Sequence, residues 1–147
     1  MLSPMSTDTN IVHAVLHPAH NRTDIDSAES AVLAALDRFN FPDASKFAVR
    51  LALEEALVNA FQHGHRGMPD EETITLTYEV SADEVKLSVH DRGPGFKPAE
   101  VADPTEAENI ELPSGRGLML IRAFMTSVEH DLGGARMTMI YKRPLEA

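Results

Sequence analysis

Three polar side chains repeat at helical spacing near the middle of the chain. Glu55, Asn59 and His63 are four residues apart, so in a helix they form one stripe along one face. Small side chains beside the stripe leave room for a bulky ligand, at Ala48, Ala52 and Ala56. Such a stripe can present a carboxylate base and a neutral oxygen ligand for Mg²⁺ within one small volume. An ordinary solvated helix face is the other interpretation, and the stripe alone leaves it open.

The segment HDRGPGF, from His90 to Phe96, places an aspartate and two glycines directly after an alternating stretch. Glycine and proline are the residues that tight turns use, so a plain hairpin turn is one interpretation. Glycine also lets bare backbone approach a ligand closely, so a loop that meets a nucleotide is the other.

A third segment, SGRGLMLI, has Gly115 and Gly117 in front of the apolar run from Leu118 to Ile121. We expect these glycines at a loop-to-helix junction, where unpaired N–H groups and a partial positive charge suit phosphate oxygens. Arg116 adds a fixed charge and a bidentate donor. A plain connecting loop also fits this segment, and the sequence contains no GxxxxGK[ST] phosphate loop.

Composition narrows the class of protein. The 147 residues are 43% hydrophobic and 24% charged, which is typical of one soluble globular domain. The net charge of −10, without a segment rich in lysine and arginine, argues against nucleic acid as a direct partner. The absence of cysteine excludes disulfides and cysteine metal sites. Because the sequence has no secretory leader pattern and no apolar run long enough to span a bilayer, we expect a cytoplasmic protein without membrane contact.

Hydrophobic periodicity predicts three helices and five strands. The helices are expected at Ser27–Phe39, at about Ala44–Gln62 with Asp43 as the N-cap, and at Gly117–Met125. The strands are expected at Ile11–Leu16, Glu72–Val80, Glu84–His90, Thr126–His130 and Arg136–Lys142. Two hairpins follow, the second around Gly133-Gly134. This order predicts an α+β two-layer sandwich with a mixed, mostly antiparallel sheet covered on one face by helices.

Taken in order, LEEALVNAFQHG, DRGPGF and SGRGL resemble the N, G1 and G2 boxes of the GHKL ATPase superfamily. Within it, the short chain resembles the stand-alone anti-sigma-factor serine/threonine kinases of bacterial partner-switching systems. The resemblance covers nearly the whole chain, which implies one ATP-binding domain of the histidine-kinase type over residues 1–147. Residues 1–10 are expected to form a flexible tail and residues 97–114 the ATP lid. ATP and Mg²⁺ are the cofactors that the resemblance implies.

The N box of this family assigns roles to the helical stripe. Glu55 would be the general base that takes a proton from an attacking hydroxyl, and Asn59 would coordinate Mg²⁺. His63 fits the histidine of the motif, although capping of a helix end is an equally good role for it. Glu54 lies outside the pattern, and we expect its side chain to be exposed or paired.

The two glycine motifs would carry the nucleotide. Asp91 would accept a hydrogen bond from the adenine amino group. Gly93 and Gly95 would let the backbone pass close to the nucleotide, with Phe96 packed behind it. The phosphates would face the second motif, at Gly115, Arg116, Gly117 and Leu118.

Two positions depart from the family pattern. Related kinases often carry an arginine just before the G2 box, and here the sequence reads Leu112-Pro113-Ser114. The closing strand of the family favours a Gly-Thr pair whose threonine helps to hold adenine, and here the pair is Gly134-Ala135. Fewer cations near the phosphates would slow phosphoryl transfer, so the resemblance implies ATP binding more firmly than catalysis.

Three hypotheses for the function follow from the resemblance. The first is a serine/threonine kinase that phosphorylates a small antagonist protein, binds a sigma factor in alternation and forms a homodimer. The second is an ATP-gated binding module that sequesters its partner without phosphorylating it. The third, a fragment of a sensor histidine kinase, is disfavoured because no helical dimerisation segment with a phosphoacceptor histidine precedes the domain in this sequence.

Overall fold

Five strands form one sheet in the computed structural model, which describes residues 11–65, 67–93 and 113–145, the last range with backbone alone for 113–117. The strands are β1 (Ile11–Leu16), β2 (Thr75–Ser81), β3 (Glu84–His90), β4 (Ser127–Asp131) and β5 (Arg136–Lys142). They lie in the order β1-β2-β3-β5-β4, and each neighbouring pair is antiparallel. In the β4–β5 hairpin it is β5 that pairs with β3, and β5 runs in the direction opposite to β3. Within the described ranges the sheet is therefore antiparallel throughout, and not mixed as expected.

Three helices pack on one face of this sheet and confirm the two-layer α+β fold. They are α1 (Arg22–Arg38), α2 (Asp43–Asn59) and α3 (Pro113–Phe124), and α2 contacts both of the others. Alternate strand residues point toward the helices, as in β2, where Leu76, Tyr78 and Val80 are buried. Across the two layers, the hydroxyl of Tyr141 donates a buried hydrogen bond of 2.8 Å to Oγ of Ser45. None of the helices in the described part of the chain is long and apolar enough to cross a membrane.

The strands match the sequence prediction closely. The bounds of β1, β3 and β5 are those expected, both predicted hairpins form, and β4 is displaced by one residue. Only β2 differs by more, since it begins at Thr75 and not at Glu72. Thr75 pairs with His90, the last residue of β3, so the residues before Thr75 have no partner on β3.

The helices begin differently from the prediction. α1 starts five residues early because Oδ1 of Asn21 caps it, accepting the N–H of Asp24 at 2.7 Å. Asp43 is the first residue of α2 and not its N-cap, a position that Pro42 occupies without a side-chain bond. α3 starts at Pro113, four residues before Gly117, and proline is a favoured first helical residue because its missing N–H needs no partner there.

One turn of π-helix, Ala60–Gly64, extends α2 beyond Asn59. In this turn the N–H of His65 bonds to the carbonyl oxygen of Ala60, five residues earlier, at 3.0 Å. The carbonyl oxygen of Ala60 is thus bonded by His65, whereas in a regular α-helix it would be bonded by the N–H of Gly64. Such wide turns often mark functional sites.

Candidate functional site

A narrow cleft lies where the end of α2 meets the ends of β3 and β5. It is lined by Ala56, Asn59, Ala60, Val89, Asp91, Gly134, Ala135 and Met137. Asn59 and Asp91 come from separate motifs of the sequence, and both are buried, with 9% and 5% of their surface exposed. Buried polar side chains that share a cleft are a default candidate for a ligand site.

The Asp91 carboxylate has a fixed position at the end of β3. The Asp91 N–H donates to the carbonyl oxygen of Ala135 at 2.9 Å, and Oδ1 accepts the N–H of Gly93 at 2.8 Å. Burial raises the pKa of Asp91, and the bond from Gly93 together with the nearby His65 opposes that rise. A buried carboxylate of this kind is a strong acceptor for an amino group that enters the cleft.

Two glycines allow close contact between the end of the π turn after α2 and the Asp91 turn, which is formed by Asp91, Arg92 and Gly93. A Cβ atom added to Gly64 would overlap the carboxylate of Asp91, and one added to Gly93 would overlap the carbonyl oxygen of Gly64. The close approach that the sequence predicts for Gly93 is therefore made in this structure to the backbone of Gly64. The sequence motifs assign no such packing role to Gly64, and only the folded chain reveals it.

The three residues of the polar stripe differ in how far they are buried. Asn59 lines the cleft, Glu55 is half-buried one turn earlier, and His63 is exposed on the π turn. Burial and the charge of Glu54 raise the pKa of Glu55. Glu54 is paired, as expected: Arg22 donates two hydrogen bonds to its carboxylate, at 2.9 and 2.7 Å.

The buried histidine at this end of α2 is His65, which sequence reasoning did not single out. Only 4% of its surface is exposed, and Nε2 accepts the N–H of Arg92 at 2.8 Å. The helical spacing of the stripe points to His63, because that spacing assumes regular α-helix up to Gly64. The π turn changes the spacing and brings His65 to the Asp91 turn instead.

The second glycine motif lies inside α3. The backbone of residues 115–117 is helical, which moves this motif from the expected junction into the first turns of the helix. Leu118 is half-buried and packs against the core. Gly95, Phe96, the lid up to residue 112 and the side chain of Arg116 lie outside what the structure describes, so the predictions for them stay predictions.

A Mg²⁺ ion in this cleft would be held by oxygen atoms of a few side chains and of a bound phosphate, and not by a cluster of metal-binding side chains. In residues 11–65, 67–93 and 118–145 no group of three or more histidine and carboxylate side chains is placed to hold an ion. Asn59 offers a neutral amide oxygen in the cleft, and Mg²⁺ is commonly held by one or two protein oxygens together with substrate phosphates. The side chain at this position fits the expected role.

Comparison with known proteins decides the family. The family model of the histidine kinase-like ATPase domain matches residues 18–141, a range that includes all three helices, β2 to β4, and β5 except for Lys142. The chain belongs to this family. A histidine kinase-like ATPase domain of the GHKL kind implies ATP binding.

Relatives of the ATPase domain include bacterial protein kinases. The chain is 32% identical over 89 residues to the serine/threonine-protein kinase BtrW of Bordetella bronchiseptica, across 58% of this chain and 61% of that one. It is 31% identical over 90 residues to the serine-protein kinase RsbW of Listeria innocua, across 55% of each chain. The matches thus span little more than half the length of these relatives.

A solved structure has the same fold. One chain in the crystal structure of the SiaB–SiaC complex from Pseudomonas aeruginosa aligns with a TM-score of 0.61. The alignment covers 95% of this chain and 93% of that one, at 12% sequence identity. This likeness shows that the two chains share a fold.

Proposed function

We propose that this chain is an ATP-dependent serine/threonine protein kinase that acts as an anti-sigma factor. It would phosphorylate a small antagonist protein in the cytoplasm and bind a sigma factor in alternation. The observation that supports this most is the meeting of Asn59 and Asp91 in one buried cleft, with the half-buried Glu55 one turn earlier on α2. The relatives named serine and serine/threonine kinases support the reaction class.

Each polar residue of the site has one task in this proposal. Asp91 accepts the adenine amino group, and Asn59 offers its side-chain oxygen to Mg²⁺, which when bound neutralises charge on the phosphate oxygens. Glu55 takes the proton of the acceptor hydroxyl as that oxygen bonds to the γ-phosphorus and the bond to ADP breaks. A base works best when its pKa lies near the working pH, so the raised pKa of Glu55 suits this role.

A transfer assay tests the proposal. The purified chain is incubated with Mg²⁺, radiolabelled ATP and lysate of the source cell, and the labelled proteins are separated. We expect one small protein to carry an acid-stable phosphate on serine or threonine. An acid-labile phosphohistidine would instead support a histidine kinase. Calorimetry with ATP on wild type and Asp91→Asn checks the cleft, since equal affinities would contradict the assignment of Asp91.

An ATP-gated binding module is the second candidate. Leu112-Pro113-Ser114 stands where related kinases often carry an arginine, so one cation that would stabilise phosphoryl transfer is absent from that position. A module of this kind would bind ATP and a sigma factor and leave every protein in the transfer assay unlabelled. ATP-dependent binding of a sigma factor without transfer would favour it over the kinase.

The charge of Glu54 should tune the pH dependence of transfer. Because a neighbouring negative charge raises the pKa of Glu55, Glu54→Gln should lower that pKa and keep the base ionised to lower pH. The acid limb of the rate–pH profile should therefore move to lower pH, and single-turnover rates across the profile measure it. Glu79→Gln makes the same charge change on the open face of the sheet, and an equal shift in that control would contradict the local effect.

We also propose a homodimer that uses β1. This strand is at the edge of the sheet, and its open face exposes Ile11 and Val15, at 48% and 46%. An edge strand with exposed apolar side chains is suited to pairing with a second chain. Light scattering at tens of micromolar should give about twice the mass of one chain. Val15→Lys should shift the distribution to monomer, and a monomeric wild type would refute the dimer.

A further inference from the structure

His65 makes one specific hydrogen bond through Nε2 and leaves its other ring nitrogen buried without one among the residues described. Its Nε2 accepts the N–H of Arg92, so the ring is neutral and carries its proton on Nδ1. That Nδ1 is buried and has no hydrogen-bond partner in the part of the chain that the structure describes. A buried donor without a partner is destabilising and uncommon. The contact from Nε2 to the turn after β3 is therefore the feature of His65 that calls for a function.

Three consecutive N–H groups form the framework of that turn, and each has one acceptor. The N–H of Asp91 bonds to the backbone of Ala135, and that of Gly93 bonds to the Asp91 side chain. The middle one, from Arg92, bonds to His65. His65 is thus the one side chain from another element that accepts a bond from these three groups. Without it, the part-buried N–H of Arg92 would lose its acceptor.

The ring of His65 is itself held in place. Phe61 lies edge-on to it, with ring centroids 5.7 Å apart, and the ring of His20 stacks on that of Phe61, with centroids 4.7 Å apart. His20 in turn lies 3.3 Å from a carboxylate oxygen of Asp70. The backbone of His65 is fixed by the π turn, because its N–H bonds to the carbonyl oxygen of Ala60. Nε2 therefore reaches the turn from a fixed direction.

We propose that His65 is a positioning residue that holds the Asp91–Gly93 turn in the conformation that receives the nucleotide base. The inference rests on the proposed nucleotide site, and it adds a residue that acts through Asp91 without touching the nucleotide. Protonation of the ring would remove the acceptor, so nucleotide affinity should fall at acidic pH.

Several charged groups face this ring. Asp91 and Glu72 favour its protonated form, whereas Arg92 and His20 oppose it. Burial is the largest influence, and it lowers the pKa of His65 below the usual value of a histidine. The neutral, accepting form is therefore present at neutral pH and is lost only as the pH falls below 6.5, the ordinary pKa.

The test separates the acceptor from the shape of the ring. His65→Gln can place an oxygen near the position of Nε2 but does not titrate, whereas His65→Phe keeps a ring and has no acceptor. His17→Gln, at an exposed histidine just after β1 and outside the proposed site, is the matched control. Each variant is titrated with ADP by calorimetry at pH 7.5 and pH 5.5, and protection of the Arg92 amide is measured by hydrogen exchange without nucleotide.

At pH 7.5 we expect His65→Phe to bind ADP about tenfold more weakly than wild type, because the hydrogen bond that holds the turn in its binding conformation is lost. His65→Gln should stay within about threefold of wild type, since it supplies a replacement acceptor. Between the two pH values, wild type and His17→Gln should lose more affinity than His65→Gln, because both keep the His65 ring. His65→Phe should also lose protection of the Arg92 amide.

Wild-type affinity in His65→Phe, or unchanged protection of the Arg92 amide in that variant, would overturn the role of His65. Equal pH dependence of wild type and His65→Gln would overturn the protonation effect. A wild type that binds no ADP at pH 7.5 would instead overturn the nucleotide site itself. The exchange measurement needs no nucleotide, so these failures can be told apart.

Discussion

Glu55→Gln should slow phosphoryl transfer by roughly 10²–10⁴, the usual contribution of a positioned general base, and leave ATP affinity within a few-fold. Glutamine keeps the size and hydrogen-bonding reach of glutamate and cannot take a proton. The half-buried position of Glu55 on α2, with a pKa raised by burial and by Glu54, supports this choice of base. The measurement is single-turnover phosphorylation of the proposed antagonist protein, with ATP affinity determined separately by calorimetry.

Asn59→Ala is the contrasting variant on the same helix. It should lose the Mg²⁺-dependent part of ATP binding as well as transfer, because the side-chain amide that lines the cleft is removed. Both variants are assayed across a Mg²⁺ titration. Equal transfer rates for wild type and Glu55→Gln would rule out Glu55 as the base. Metal-independent ATP binding by wild type would contradict the role of Asn59.

Gly64→Ala should disrupt the site by a single methyl group. The added Cβ would overlap the Asp91 carboxylate, which is buried and cannot move away into solvent. We expect a loss of about 1–3 kcal/mol in the free energy of unfolding, as for overpacking of an interior. ATP affinity should fall about tenfold or more, because displacing Asp91 costs a charged acceptor bond. Urea unfolding and calorimetry on the same preparations measure the two effects.

Gly67→Ala is the matched control for this substitution. A Cβ on Gly67 meets nothing within 4 Å, but φ at this residue is +83°, so the variant carries backbone strain without an overlap. We expect a stability loss of about 1 kcal/mol and unchanged ATP affinity. If Gly64→Ala lowered stability and left ATP affinity at the wild-type value, the link between Gly64 and Asp91 would be refuted.

The buried Glu29 gives the fold its own pH dependence. Burial and a hydrogen bond shared with Glu54 raise its pKa to about 8, while Arg22 and Arg50 oppose that rise. In the unfolded chain its pKa would be near 4.5, so the folded state binds more protons between pH 4.5 and about 8. The contribution of Glu29 to stability is thus present at the acidic end of this range and is lost as the pH rises.

The strands were the most predictable part of the fold. Buried residues alternate with half-buried or exposed ones in β3 and β5, and that pattern is specific to strands, so their bounds followed from the sequence. The start of α1 was missed because Ile25 is the one apolar side chain between the capping Asn21 and Ser27, which is too few to show a period. A cap is a local hydrogen bond, and its strength depends on a backbone geometry that periodicity does not reveal.

The site was predictable in its motifs and less so in its packing. Asn59 and Asp91 were expected to serve one ligand, and the structure does bring them to one cleft. The pairing of Gly64 with Asp91 and the contact of His65 with Arg92 both depend on the π turn. That turn changes the hydrogen-bond register by one residue, a difference too small to alter the hydrophobic pattern from which helices are predicted.

The strand order has a consequence for how the protein acquires its structure. β5 follows every other strand in sequence, yet in the sheet it lies between β3 and β4. Its neighbour Ala135 supplies the carbonyl that fixes Asp91, so the cleft cannot exist while this segment is still being synthesised. When only the segment up to the β2–β3 hairpin has emerged from the ribosome, the edge of β3 that later pairs with β5 has no partner strand. Nascent chains of increasing length should therefore resist proteolysis, and respond to nucleotide, only after β5 has emerged.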